Sequence, residues 1–330
     1  MLFRFLAALL AAALAVGGAV VVIGPTTALE ERALVVEIPP HLGVTAIARH
    51  LQVEGAVRSA WAAVAVAAVH GAARRLKAGE YEFPRGASTI DVVRMLESGR
   101  VRQHPVLHPE GATVRELATV LEAARLARAD DVVRVASDRA FLIAQNIDGP
   151  SVEGYLFADT YQFVRGMKVE EILGRMVQRT RAKLTPEILA RAKARGLSVH
   201  RLLTLASIIE REAAVPEEQR LIAAVFWNRL QLDMPLQADP TVQYALAKER
   251  RTLTRADLAT DNPFNTYRNP GLPPGPIASP GMGAIEAALD PAPVKYLYFV
   301  AISADGRRHH FSTTVEGHNA AVARYRLSRH

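Results

Sequence analysis

Residues 198–213 read SVHRLLTLASIIEREA, and residues 262–281 read NPFNTYRNPGLPPGPIASPG. The first stretch has the apolar spacing of an amphipathic helix, with Ser198 at the position of an N-cap. Advancing about 100° per residue gathers Leu202, Leu203, Leu205, Ala206, Ile208 and Ile209 on one side and puts Arg211 opposite. Glu210 and Glu212 fall about 80° to either side of that stripe. A carboxylate at such an edge loses part of its hydration, so its pKa rises and it can hold a proton at neutral pH. The helical wheel does not choose between the two acids, and both also suit boundary ion pairs with Arg211 or Arg201. The second stretch is too rich in proline and glycine for a helix or a strand. It carries Phe264, Tyr267, Leu272 and Ile277, which suits a rigid, aromatic wall of a groove. Sugars fit such a wall, because aromatic faces pack on pyranose CH groups while Asn and Gln bond hydroxyls and amides.

Pro216 with Glu217 and Glu218 reads as a helix start, and Ile222, Val225, Phe226 and Leu230 form its apolar face. In MPLQADPTVQYAL (234–246), Asp239-Pro240 reads as N-cap and first residue of a short helix, with Gln237 and Thr241 supporting the cap. Tyr296–Ile302, a turn at Asp305-Gly306 and Arg308–Thr313 read as a β-hairpin, and Val315–Leu327 as a closing helix. Residues 108–195 read as mostly helical, with one unusual loop at Gly149–Phe163.

Residues 33–103 read as one small unit. Strands are expected at Ala33–Ile38, Lys77–Phe83 and Val101–Leu107. Thr45 is expected to cap a helix carrying Ile47, Ala48 and Leu51, and Ser88 one carrying Ile90, Val92, Val93 and Leu96, which Gly99 ends. The apolar run Ala60–Val69, closed by His70, Gly71 and Arg74, reads as a core helix. PPHLGVTAIARH (39–50) and PEGATVREL (109–117) echo each other as a turn followed by Thr and a helix, the ordinary grammar of a capped helix.

Phe5–Ile23 is nineteen residues without a charge. As a helix this spans about 30 Å, one hydrocarbon core. Arg4 lies before it and Glu30, Glu31 and Arg32 after it. The positive-inside tendency then puts the N-terminus in the cytoplasm and the rest of the chain outside. A cleaved signal peptide, with a small-x-small site at Thr26-Thr27-Ala28, is the alternative. With 50% hydrophobic and 22% charged residues, most of the 330 residues can bury a core. The absence of cysteine excludes disulfide scaffolds, cysteine nucleophiles and thiolate metal sites. The net charge of +7 comes from scattered Arg and reads as a solvated basic surface. There is no phosphate-binding GxxxxGK[ST], GxGxxG, HExxH or GxSxG, and no aromatic-and-basic nucleic-acid motif. His309-His310 sits on a strand, where neighbours face opposite ways, which argues against a shared metal.

Five stretches together resemble the endolytic murein transglycosylases of the MltG, or YceG-like, family. They are EGYLFADTYQF (153–163), LASIIEREA (205–213), VFWNRL with LQADPTVQYAL (225–230, 236–246), PFNTY with GLPPGPIASPG (263–267, 271–281), and YLYFVA with HFSTT (296–301, 310–314). Ala158 stands where the family usually has Pro, and Gly317 where it usually has an acid. The resemblance implies an α+β chain: a cytoplasmic tip and single transmembrane helix at 1–28, a small LysM-like module at 29–107, and a mixed α+β catalytic domain at 108–330 ending in a β-hairpin and helix. It implies lytic cleavage of the MurNAc–GlcNAc β-1,4 bond of nascent glycan strands, giving 1,6-anhydro ends and terminating strand elongation. The acid would be Glu210, with Glu212, Gln237, Asp239, Thr241, Asn265 and Tyr267 as substrate-binding residues and with no metal or cofactor. The expected partners are peptidoglycan, the membrane through the N-terminal helix, penicillin-binding proteins and the elongation or division machinery, but not nucleic acid. The expected location is the bacterial inner membrane, with the catalytic domain on its periplasmic side. A non-catalytic wall-binding scaffold and a peptidoglycan hydrolase are the alternatives.

Overall fold

A computed structural model describes residues 16–18, 20–22, 24–248, 251–302 and 308–328. Most of the expected anchor, Phe5–Ile23, and the Asp305-Gly306 turn lie outside these residues. No helix among the described residues is long and apolar enough to cross a membrane. Among the described residues the strands form three two-stranded sheets, β1 (Leu34–Ile38) with β2 (Gly79–Phe83), β3 (His104–His108) with β4 (Asp159–Phe163), and β5 (Tyr298–Ala301) with β6 (His309–Ser312). Helices supply most of the remaining regular structure, so the chain is α+β.

The chain divides into two compact units, residues 1–104 with 162–167, and residues 105–161 with 168–330. In the first, β1 and β2 pair antiparallel, Leu34 opposite Phe83 and Ile38 opposite Gly79. Alternation sends Val36 and Ile38 inward, where they meet Ile47, Leu51, Tyr81, Phe83, Val92 and Leu96 in one core. Glu80 is buried, and Arg165 closes on it at 3.0 Å, which ties the 162–167 stretch to this unit. Ser88 caps Thr89–Ser98 in a full capping box with Asp91, and Gly99 ends that helix in the left-handed conformation that glycine adopts without strain. Thr45 does not cap. The Val44–Val53 helix has its cap two residues earlier, at Gly43, with no side-chain bond. Ala60–Val69 forms the expected helix but is not a core helix. Ala63, Val66 and Ala67 are buried, whereas Trp61 is 77% and Val69 85% exposed.

The second unit is built around the Val199–Glu212 helix. Ser198 caps it, and all eight residues from Leu202 to Ile209 are buried. It packs against Met282–Leu289 most extensively, and also against Pro186–Ala194, Gln219–Gln231 and Asp239–Ala245. The polar side chains inside this helix are paired, since Thr204 Oγ1 donates to the His200 carbonyl and Ser207 Oγ to the Thr204 carbonyl. Pro216–Glu218 forms a single 3-10 turn, and the α-helix begins at Gln219. Asp239 is the first helical residue of Asp239–Ala245, with Ala238 at the cap, so the expected aspartate cap is not formed.

Candidate active site

No helix or strand forms between residues 260 and 281. Proline lacks an N–H, so each remaining backbone donor in this stretch decides where the segment lies. Ile277 N donates to Ser207 Oγ at 3.0 Å, Ser279 N to the Ala112 carbonyl at 2.9 Å, and Gly281 N to Glu210 Oε2 at 3.1 Å. The loop therefore runs along the last turns of the Val199–Glu212 helix and delivers an N–H to Glu210. The Pro109–Thr113 turn completes the niche, with Gly111 N donating to the Ser279 carbonyl at 2.8 Å and Arg211 to the Gly111 carbonyl at 3.0 Å. His108 lies 2.8 Å from Ser279 Oγ, and burial pushes its pKa down to about 4, so it is neutral.

Glu210 is half-buried, and burial raises its pKa. The Gly281 N–H acts the other way by stabilising the anion, and the neighbouring Glu110 charge raises the pKa again. The Gly281 N–H holds Glu210 Oε2, and the positive end of the Met282–Leu289 helix lies close by. Glu110 was not singled out from the sequence, where PEGAT read as a turn before the Thr113 cap. A Cβ on Gly281 would lie 2.0 Å from Glu110 Oε1, so a side chain there would push this flexible carboxylate aside.

Glu212 serves a different space, a cavity of about 330 Å³ lined by Glu212, Arg229, Leu236, Gln237, Asp239, Tyr267, Phe299 and His318. Burial pushes the Glu212 pKa up to about 8, and the Asp239 charge adds to this, while Arg229 and Arg211 oppose it. Tyr267 OH donates to Asp239 Oδ1 at 2.6 Å. Arg229 is buried, donates to the Leu297 and Leu236 carbonyls at 2.7 Å each, and lies over the Tyr298 ring. Gln237 reaches the cavity from a left-handed backbone (φ 50°), its N–H bonded to the Thr266 carbonyl.

The structure thus brings Glu212, Gln237, Asp239 and Tyr267 to one cavity, and Glu210 to an adjoining niche on the same helix. Thr241 and Asn265 are fully buried behind the wall and do not line the cavity. Thr241 Oγ1 donates to the Ala238 carbonyl and meets Thr266 Oγ1 at 2.9 Å. Asn265 Nδ2 donates to the Leu258 and Thr260 carbonyls, and its Oδ1 accepts from Tyr267 N. Both act on the site through the loop they hold.

The family model described as YceG-like matches residues 36–324. The chain belongs to the YceG-like family. It is 34% identical over 307 residues to the endolytic murein transglycosylase of Bacillus subtilis strain 168, covering 88% of this chain and 84% of that one. The Streptococcus pneumoniae D39 protein of the same name is 32% identical over 281 residues, which are 76% of this chain and 51% of that longer one. A crystal structure of a YceG-like protein from Listeria monocytogenes superposes with a TM-score of 0.61 at 33% identity, covering 87% of this chain and 98% of that one. The niche and the cavity both lie inside the span that matches the YceG-like family. Arg229, Phe299 and His318 were passed over as site residues, although the matching stretches contain the first two and the GHN element contains the third. Gly317, where the family usually has an acid, precedes His318, whose ring stacks on Tyr298.

Proposed function

We propose that the chain cleaves peptidoglycan as an endolytic lytic transglycosylase, with Glu210 as the single acid and base. The observation that carries this reading is the Glu210 carboxyl, raised in pKa by burial and held through one oxygen by the Gly281 N–H. Burial favours the protonated form that donates, and the N–H stabilises the carboxylate once the proton has left.

In this mechanism Glu210 protonates the oxygen leaving C1 of MurNAc, and positive charge develops at C1. The ionised Glu210 then takes the proton of the MurNAc C6 hydroxyl as that oxygen attacks C1. The glycosidic bond breaks, a 1,6-anhydro ring forms and the carboxyl is restored. One carboxylate suffices because the nucleophile belongs to the substrate, and well-oriented intramolecular attack reaches effective molarities of about 10⁵ M or more. The cavity beside Glu212 offers Gln237 and the Asp239–Tyr267 pair to hydroxyls and amides of the glycan.

The N-terminal segment anchors the chain in the cytoplasmic membrane, with both units on its outer side. The first unit is a LysM-like module that orients glycan, and the enzyme trims new strands beside the penicillin-binding proteins that make them. Mass spectrometry of sacculi digested by the purified chain tests this reading. Anhydro-MurNAc ends are expected. Reducing MurNAc ends would assign a hydrolase, and intact glycan a binding scaffold.

A further inference from the structure

The Ala60–Val69 helix, AWAAVAVAAV, has no charged side chain, yet only one side of it is covered. Ala63, Val66 and Ala67 face the core, while Trp61, Ala65, Ala68 and Val69 recur at i, i+4, i+7 and i+8 and are exposed. A soluble surface helix carries charged residues on that side, and a contiguous apolar stripe calls for a cover.

Two further features say what that cover is. A basic groove opens at the end of the helix, where Arg74, Arg75, Lys77 and Arg94 stand against one acid, Glu97. Arg75 donates to the His70 and Gly71 carbonyls at the end of this helix, and it takes up Glu97 at 2.8 Å. Arg74, Lys77 and Arg94 are exposed, with Asp91 near Arg94 and the Ser98 carbonyl 3.4 Å from Lys77 Nζ, so the groove keeps an excess of positive charge. The chain also enters this unit at the same helix, since Val22 packs against the Val66, Ala67, Ala72 and Val93 cluster and Thr89 Oγ1 donates to the Val21 carbonyl at 3.1 Å. Val21 and Val22, within the uncharged stretch, therefore lie against this part of the unit.

We propose that the exposed face of Ala60–Val69 lies on an anionic lipid surface, with Trp61 and Val69 in the headgroup region and Arg74, Lys77 and Arg94 on lipid phosphates. Tryptophan prefers that depth, and lysine or arginine beside an apolar helix face is the composition of interfacial helices. The first unit would then rest on the bilayer instead of hanging free from a tether. The proposal takes the side of the membrane from the anchored reading above, but it does not depend on the carbohydrate chemistry.

The test uses the full chain carrying Trp227→Phe, which leaves Trp61 as the one tryptophan, in vesicles of phosphatidylcholine and phosphatidylglycerol. Lipids brominated near the headgroup should quench Trp61, and added acrylamide should quench it less than in detergent. The double variant R74E/R94E should lose most of this contact, at about fivefold in affinity for each charge removed. Anhydro-product release from sacculi in detergent should stay at the parent level in these variants, which separates a lost membrane contact from misfolding or from failure of the catalytic assignment. Equal acrylamide quenching in vesicles and detergent would overturn the proposal. So would a Trp61 shielded from both bromolipid and acrylamide, which would mean that protein covers the stripe.

Discussion

Glu210 and Glu212 are two residues apart on one helix, and both have raised pKa values, but they work in different surroundings. Glu210 meets backbone, with a proline-limited loop bringing it the Gly281 N–H and the Pro109–Thr113 turn closing behind it. Glu212 meets side chains, the Asp239 carboxylate and the Arg229 and Arg211 guanidiniums. A backbone donor is fixed and leaves the other oxygen available, as repeated proton transfer requires. A balanced network of charges is suited to holding polar substrate groups, and titrating any one member disturbs the rest. On the proposed reading, one helix turn supplies both an acid and a binding residue.

The largest effect expected from this contrast is at Glu210. Glu210→Gln keeps the shape but loses the exchangeable proton, and release of soluble anhydro-muropeptides should fall about 10³-fold with an unchanged circular dichroism spectrum. Gly281→Ala should cost about tenfold in the same assay, because the added methyl pushes the flexible Glu110 carboxylate out of its place beside Glu210. Glu212→Gln should cost about tenfold, mainly in KM, the size of one lost polar contact.

Glu212→Gln should also change stability with a definite sign. A folded-state pKa of about 8 against an ordinary 4.5 means that the folded protein holds a proton which the unfolded chain has lost. The parent's stability should therefore fall as pH rises across that window, and the variant's Tm should fall less. The smallest effect belongs to Glu110→Gln. Removing that charge lowers the pKa of Glu210, so the alkaline limb of kcat/KM should move to lower pH while the acid limb stays. An unmoved alkaline limb would detach Glu110 from the niche.

The helix that carries both acids was legible because its signals are local, a serine cap and an apolar stripe within sixteen residues. The same locality made Ser88, Gly99 and the β5–β6 pairing readable. Thr45 misled because a glycine two residues earlier already had the extended backbone that a cap requires. Glu110 was illegible because its importance comes from Gly281, far along the chain, and no periodicity links the two. Thr241 and Asn265 have residue types that suit sugar binding, but their hydrogen bonds are spent on the loop itself. Ala60–Val69 looked like core because composition reports how apolar a helix is and not how many of its sides are covered.

The most direct check is to digest the same sacculi with Glu210→Gln and Glu212→Gln side by side and weigh the products by mass spectrometry. The 1,6-anhydro ends should vanish with the first variant and persist, at a reduced rate, with the second. Anhydro ends that persist with the first and vanish with the second would contradict this expectation and move the proton to Glu212.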